Sequence, residues 1–233
     1  MAQNNDSEQG IDFSLVIASS VHDMKNSVGM LLASLESVIA GSPPDNPEMA
    51  KHFSTLHYEA SRINGELIEL LTIYRMSQDF LPIRIDGHFV VDILEEQIAR
   101  NHVLMQTGGV SFEMDCDPNM SWYFDHDLVG SVIHNVIVNC VRYTKNRIAI
   151  CAEMENDYLK LSIADNGEGY PNEMLVNPGH FVEATEINSG STNLGLYFAE
   201  KIAAYHKQDN RVGYIKLSNG GPLGGGVFSI FLP

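Results

Sequence analysis

Between Ile17 and Val38 the chain reads IASSVHDMKNSVGMLLASLESV. The apolar residues Ile17, Val21, Met24, Val28, Leu31, Leu35 and Val38 step alternately by four and three. That is the a/d pattern of a helix that buries one seam against another helix. A second seam follows in Phe53, Leu56, Ala60, Ile63, Leu67, Leu70 and Tyr74. Between the two lies Gly41-Ser42-Pro43-Pro44-Asp45-Asn46-Pro47, which cannot continue a helix. The spacing predicts an antiparallel helical hairpin over residues 11–80. A lone hairpin covers its apolar stripe poorly, and Leu32, Ile39, Ile68 and Leu71 widen that stripe. Two hairpins pairing into a four-helix bundle, a homodimer, are therefore expected. The alternative is a hairpin packed against the rest of its own chain.

From about Ile85 the pattern changes, and the boundary falls near Phe80 to Arg84. Asp86 to Asn101 reads as a helix with Val90, Ile93, Leu94, Gln97 and Ile98 inward, and Val110 to Met114 as a short strand. Asp125 to Thr144 reads as a long helix with Leu128, Val132, Ile133, Val136, Ile137 and Cys140 facing the core. Ile148, Ile150 and Ala152 alternate, Asn156-Asp157 turns the chain, and Leu159, Leu161 and Ile163 alternate again, which is a β-hairpin. Leu194 to His206 is a further helix, and Tyr214 to Leu217 and Val227 to Leu232 are strands around a glycine-rich turn. The fold class is α+β: the helical hairpin, then an α/β sandwich over 85–233.

The composition narrows the function. Fourteen Lys and Arg against thirty Asp and Glu give a formal net charge of −16, which repels nucleic-acid phosphates. No apolar stretch approaches the roughly 18 residues of a membrane span, and residues 1–10 lack the features of a signal peptide. The three cysteines are scattered, without metal-ligand spacing, which suits a reducing cytoplasm.

Four segments carry candidate chemistry. On the first helix His22, Asp23 and Asn26 occupy positions b, c and f, away from the seam. A solvent-facing imidazole with a carboxylate to fix its tautomer can act as a nucleophile, although these are also ordinary surface residues. Asn135 and Asn139 share one helical face, followed by Arg142 beside Tyr143. Stacked amides and a guanidinium suit a hydrated Mg²⁺ and a phosphate chain, and equally a polar exposed face. Asp165-Asn166-Gly167-Glu168-Gly169 follows a strand. The aspartate could accept from an exocyclic amine, and the glycines allow close approach of a planar base; a plain turn reads the same way. Finally Gly190-Ser191-Thr192-Asn193-Leu194-Gly195-Leu196 opens a helix, where freed backbone N–H groups suit phosphates.

In this order the four segments resemble the two-component sensor histidine kinases, from about Phe13 to Pro233. The resemblance implies a dimerisation and histidine-phosphotransfer hairpin followed by a Bergerat-type ATP-binding domain. It implies His22 as phosphoacceptor, Asp23 as its base, and Asn26 at the position used in dephosphorylating a response regulator. It implies Asn135 and Asn139 as the Mg²⁺-ATP asparagines, with Asn139 nearest the metal, and Arg142 where a lysine is usual. Asp165 would accept from the adenine amine, with Gly167 and Gly169 shaping the base pocket and Thr192, Gly195 and Leu196 on the phosphate side. The turn from Gly221 to Gly226 resembles the family's closing glycine segment. The implied partners are a second copy, a response-regulator receiver domain and a separate sensor protein.

The sequence departs from the family at Ser27, where proline is usual, and at Ser191 and Asn193, where glycines are usual. The resemblance implies that residues 166–193 form the lid over the nucleotide, and this stretch carries Glu168, Glu173, Glu183 and Glu186 and no Lys or Arg. Those carboxylates oppose a triphosphate, and Arg142, with Lys145 second, is the cation placed to offset them. A soluble histidine kinase is the first expectation. A phosphotransfer protein or response-regulator phosphatase with a degenerate ATP domain is the second. A silent dimeric scaffold and a Bergerat-type ATPase of another class follow.

Overall fold

The computed structural model describes residues 13–41, 46–78, 80–176 and 194–233. Two long helices lead the chain, α1 (Phe13–Gly41) and α2 (Pro47–Ser77). Asn46 caps α2 by accepting from the Glu48 amide at 2.9 Å, and Pro47 stands at the first turn, where its missing N–H costs nothing. His57 Nε2 meets Glu36 Oε1 at 3.1 Å across the hairpin. With equal rise in both helices, that register sets His22 level with the turn of α2 that carries Glu69 and Leu71.

The heptad seam divides. Val21, Val28, Leu32, Leu35 and Ile39 of α1 are at least partly covered within the hairpin, as are Ala60, Leu67 and Leu71 of α2. The other columns, Ile17, Met24, Leu31 and Val38 on α1 and Met49, Leu56, Ile63 and Leu70 on α2, stay 41–59% exposed. Each repeats every seven residues, so the hairpin presents a continuous apolar stripe.

The remaining elements are β1 (Asp86–Phe89), α3 (Val90–Arg100), α4 (His102–Thr107), β2 (Ser111–Asp115), β3 (Ser121–Phe124), α5 (His126–Tyr143), β4 (Arg147–Glu155), β5 (Tyr158–Asp165), α6 (Asn172–Val176), α7 (Leu194–Tyr205), β6 (Lys207–Gln208), β7 (Arg211–Val212), β8 (Tyr214–Asn219) and β9 (Gly226–Leu232). A five-stranded sheet runs β2-β4-β5-β9-β8, parallel only between β2 and β4. Its register lines up Ile150, Ile163, Phe228 and Leu217 in one row and Ala152, Leu161, Ile230 and Ile215 in the next. These rows are buried together with Ile93 and Leu94 of α3, Val132, Ile133 and Ile137 of α5, and Phe198 and Ile202 of α7. Each fully buried aliphatic or phenyl side chain contributes about 1.5–3 kcal/mol of transfer free energy. The Asn156-Asp157 turn has φ of 52° and 64°, the left-handed pair that closes a two-residue hairpin.

One segment departs from the sequence expectation. Asp86 to Phe89 is not helical: it pairs antiparallel with Ser121 to Phe124, and the helix begins only at Val90. The partner strand lies some thirty residues downstream, and Gly87 sits against the Tyr123 ring, so the pairing leaves no local periodicity. Helix α4 and strand β3 were not foreseen for the same reason: both are too short to show a period.

Candidate functional site

The start of α5 is fixed from two sides. Asp125 caps the helix, its Oδ1 accepting from Leu128 N at 3.0 Å, while Oδ2 accepts from Arg84 N at 2.8 Å. His206 at the end of α7 donates from Nδ1 to the Ile202 carbonyl, which leaves Nε2 to accept from Asp125 N at 3.0 Å. Burial lowers the pKa of His206, in keeping with that neutral tautomer.

At the other end of α5, Asn166 Oδ1 accepts from Thr144 Oγ1 and from the backbone amides of Lys145, Asn146 and Arg147. That one side chain ties the end of α5 and the start of β4 to the loop after β5. The same loop holds Asp165, which is 7% exposed. Its Oδ1 accepts from Gly167 N at 2.6 Å and Gly226 N at 3.3 Å. Among the described residues nothing donates to Oδ2. Glycines wall the carboxylate: a Cβ on Gly225 would stand 2.5 Å from Oδ1, and one on Gly226 would stand 3.0 Å from Oδ2. Tyr170, whose hydroxyl burial raises in pKa, closes the side, held through its backbone by the Asn219 amide. Gly169, at φ 88°, faces the same Asn219. A flat base bearing an amine fits such a cradle.

On the adjoining face of α5, Asn135 is buried and Asn139 exposed. Asn135 does not face open space. Its Nδ2 donates to Glu69 Oε1 of α2 at 2.6 Å. Burial, with Glu66 nearby, pushes the Glu69 carboxyl up to about 8. Gly195 of α7 flanks the same carboxyl, since a Cβ there would lie 3.2 Å from Glu69 Oε1 and 3.8 Å from Asn139 Nδ2. One turn further along, the Arg142 guanidinium lies over the Tyr58 ring of α2 at 5.8 Å and over Tyr143 at 5.4 Å. The Tyr58 hydroxyl beside it raises the Arg142 pKa. The space left among Glu66, Glu69, Asn135, Asn139, Arg142 and Gly195 is a cavity of about 40 Å³. Among the described residues that is room for one or two water molecules.

His22 is half exposed on α1, with Nδ1 3.7 Å from Asp23 Oδ1 and 3.4 Å from the Asn26 amide nitrogen. Nε2 has no partner among the described residues. Ser27, in place of the usual proline, bonds the Asp23 carbonyl at 3.0 Å within the helix.

The structure thus brings Asn135, Asn139, Arg142, Tyr143 and Gly195 to one surface and Asp165, Gly167 and Gly169 to the cradle beside it. Leu196 packs partly buried at the start of α7. His22, Asp23 and Asn26 stand apart on the hairpin. Thr192, Ser191, Asn193, Glu183 and Glu186 lie outside the described residues. Sequence reading missed Glu69, Gly65 and Tyr58 on α2, and Asn166 as a structural tie. Only Gly65, a helix-breaking residue amid a heptad run, carried a signal.

Residues 124–233 match the histidine kinase-, DNA gyrase B-, and HSP90-like ATPase family. Over 197 residues the chain is 26% identical to the Sensor protein SrrB of Staphylococcus aureus strains N315 and NCTC 8325 / PS 47. The match covers 82% of this chain and 34% of each relative, so the chain spans about a third of the length of the curated relatives it matches. The fold is similar to that of the Acinetobacter baumannii histidine kinase AdeS, with TM-score 0.58 at 19% identity over 91% of this chain and 96% of that one. It is also similar to the catalytic domain of histidine kinase ThkA, with TM-score 0.54 at 19% identity over 64% of this chain and 95% of that one. In sequence the chain is thus similar to a sensor protein, in fold to histidine kinases, and in residues 124–233 to the histidine kinase-like ATPases. Among the described residues no helix is long and apolar enough to cross a membrane.

Proposed function

We propose that this chain is a kinase core that moves the γ-phosphoryl group of Mg-ATP to His22 and onward to an aspartate of a receiver domain. One observation carries the reading: a solvent-facing His-Asp pair stands on the same chain as the glycine-walled Asp165 cradle of an ATPase fold. ATP and Mg²⁺, when bound, supply the phosphoryl donor and its charge neutralisation. Asp165 Oδ2 would hold the adenine amine, and Gly167, Gly225 and Gly226 admit the ring. Asn139, with Asn135 behind it, would hold the metal and phosphates, and Arg142 would offset their charge. At His22, Asp23 stands ready to take the Nδ1 proton while Nε2 attacks. The hairpin, to about residue 80, would be the phosphotransfer unit, and the chain from about 85 the ATPase unit.

In an ATP labelling assay His22→Ala should abolish acid-labile label, and Asn139→Ala should reduce it roughly tenfold or more, as loss of a charge-stabilising contact does. Label that persists on His22→Ala protein would reject that assignment. Titration calorimetry with Mg-ATP should show binding that Asp165→Asn removes.

The occupation of Asn135 by Glu69 favours a second reading, a phosphotransfer protein or receiver phosphatase whose ATP side is silent. It predicts no label from ATP but label from a phosphorylated receiver.

The exposed heptad columns support a homodimer, in which the stripe of one hairpin covers that of its copy. Light scattering should give the mass of two chains, and Leu31→Glu with Ile63→Glu should halve it. A one-chain mass for the unaltered protein would refute the dimer.

A further inference from the structure

Helix α2 meets α5 through a narrow strip. Ser61 and Gly65 stand one turn apart, and a Cβ on Gly65 would lie 2.8 Å from Asn135 Oδ1. A side chain there would have to push the Asn135 amide aside. One turn on, Glu69 takes the Asn135 amide at 2.6 Å and sits wedged against Gly195 of α7. One turn before Ser61, near Tyr58, Arg142 is drawn over the tyrosine ring. Three successive turns of α2 thereby engage the residues that the nucleotide reading assigns to metal and phosphate. A carboxyl oxygen on the Asn135 amide takes the same donor that a phosphate oxygen would use. Beside that contact the described residues leave a cavity of about 40 Å³.

We propose that α2 is an internal, reversible inhibitor of this site: α2 seated through Gly65 and Glu69, and Mg-nucleotide at Asn135 and Asn139, exclude one another. The inference rests on the nucleotide reading of Asn135, Asn139 and Asp165. Nucleotide affinity is then reduced by the fraction of chains in which α2 is seated, and unseating α2 raises it without any new contact.

The test is Mg-ADP titration calorimetry on the full chain, unaltered and as Gly65→Leu and Glu69→Ala, together with amide hydrogen exchange over residues 58–72. Both substitutions lie on α2, outside the residues proposed to touch nucleotide. Both variants should bind Mg-ADP about tenfold tighter or more, as unseating a mostly docked helix requires. In the unaltered chain, Mg-ADP should speed exchange over 58–72, and in the variants that exchange should already be fast. Equal or weaker affinity in the variants, with binding in the unaltered chain lost on Asp165→Asn, overturns the inhibition and leaves the nucleotide reading standing. Binding by none of the three chains overturns the nucleotide reading, and the inhibition falls with it.

Discussion

Gly167→Ala is expected to destabilise the α/β part of the chain by roughly 3 kcal/mol or more, at the upper end for overpacking. The added Cβ would lie 2.2 Å from the Tyr143 carbonyl oxygen and 3.0 Å from Asp165 Oδ1. Neither neighbour can swing aside cheaply. Tyr143 is backbone at the end of α5, and Asp165 already accepts from the Gly167 amide. Something must shift, and the shift pulls on the Asn166 tie and on the cradle together. For a chain of this size the melting temperature should fall by about 6–12 °C. Gly29→Ala is the control: nothing lies within 4 Å of its added carbon, and a helical glycine replaced by alanine typically gains 0.5–1 kcal/mol. If Gly167→Ala melts within about 2 °C of the unaltered chain, the loop relaxes more freely than its packing implies.

The second large effect is a dependence on pH carried by Glu69. Its pKa is raised by burial to about 8 with α2 seated, against an ordinary value of 4.5. The seated state therefore binds the proton more tightly than the unfolded state. Below pH 4.5 both states hold it and there is no penalty. As pH rises from 4.5 to about 8 the unfolded state ionises first, and stability falls by up to 1.36 kcal/mol per pH unit, at most about 5 kcal/mol in all. Above about 8 the loss is complete. Glu66 on the same helix adds to the shift, Asn135, Asn139 and Gly195 lie against the carboxyl from α5 and α7, and Arg62 and Arg142 line the same cavity. Glu69→Gln keeps the acceptor for Asn135 and cannot ionise. Its melting temperature should exceed that of the unaltered chain by a margin that widens from pH 5.5 to pH 8.5. His134, buried and held down to about 3, opposes this slope below pH 6.5, but it is common to both chains and cancels. Parallel pH profiles would show that Glu69 ionises without penalty.

Much of the architecture could be read directly because its signals are local. The two heptad seams, the Asn156-Asp157 turn and the alternation on both sides of it correspond to α1, α2, β4 and β5. The central helix α5 showed a long inward face, and its flanking strands a period of two. Strand β1 escaped because its pairing with β3 is non-local, and α4 because six residues make fewer than two turns.

The same division runs through the site. Residue type and spacing alone determined which groups can carry chemistry: His22 beside Asp23, Asn135 one turn before Asn139, and Asp165 ahead of two glycines. These are properties of a few consecutive residues and of helical or strand period. Only the tertiary structure decided which of them is free to act. It put Glu69, sixty-six positions away in sequence, on the Asn135 amide, and left one column of each heptad seam uncovered. The reason is that availability depends on what lies across the gap from a side chain, and that neighbour is chosen by how α2 packs on α5, through a glycine and a buried carboxyl that no local pattern marks.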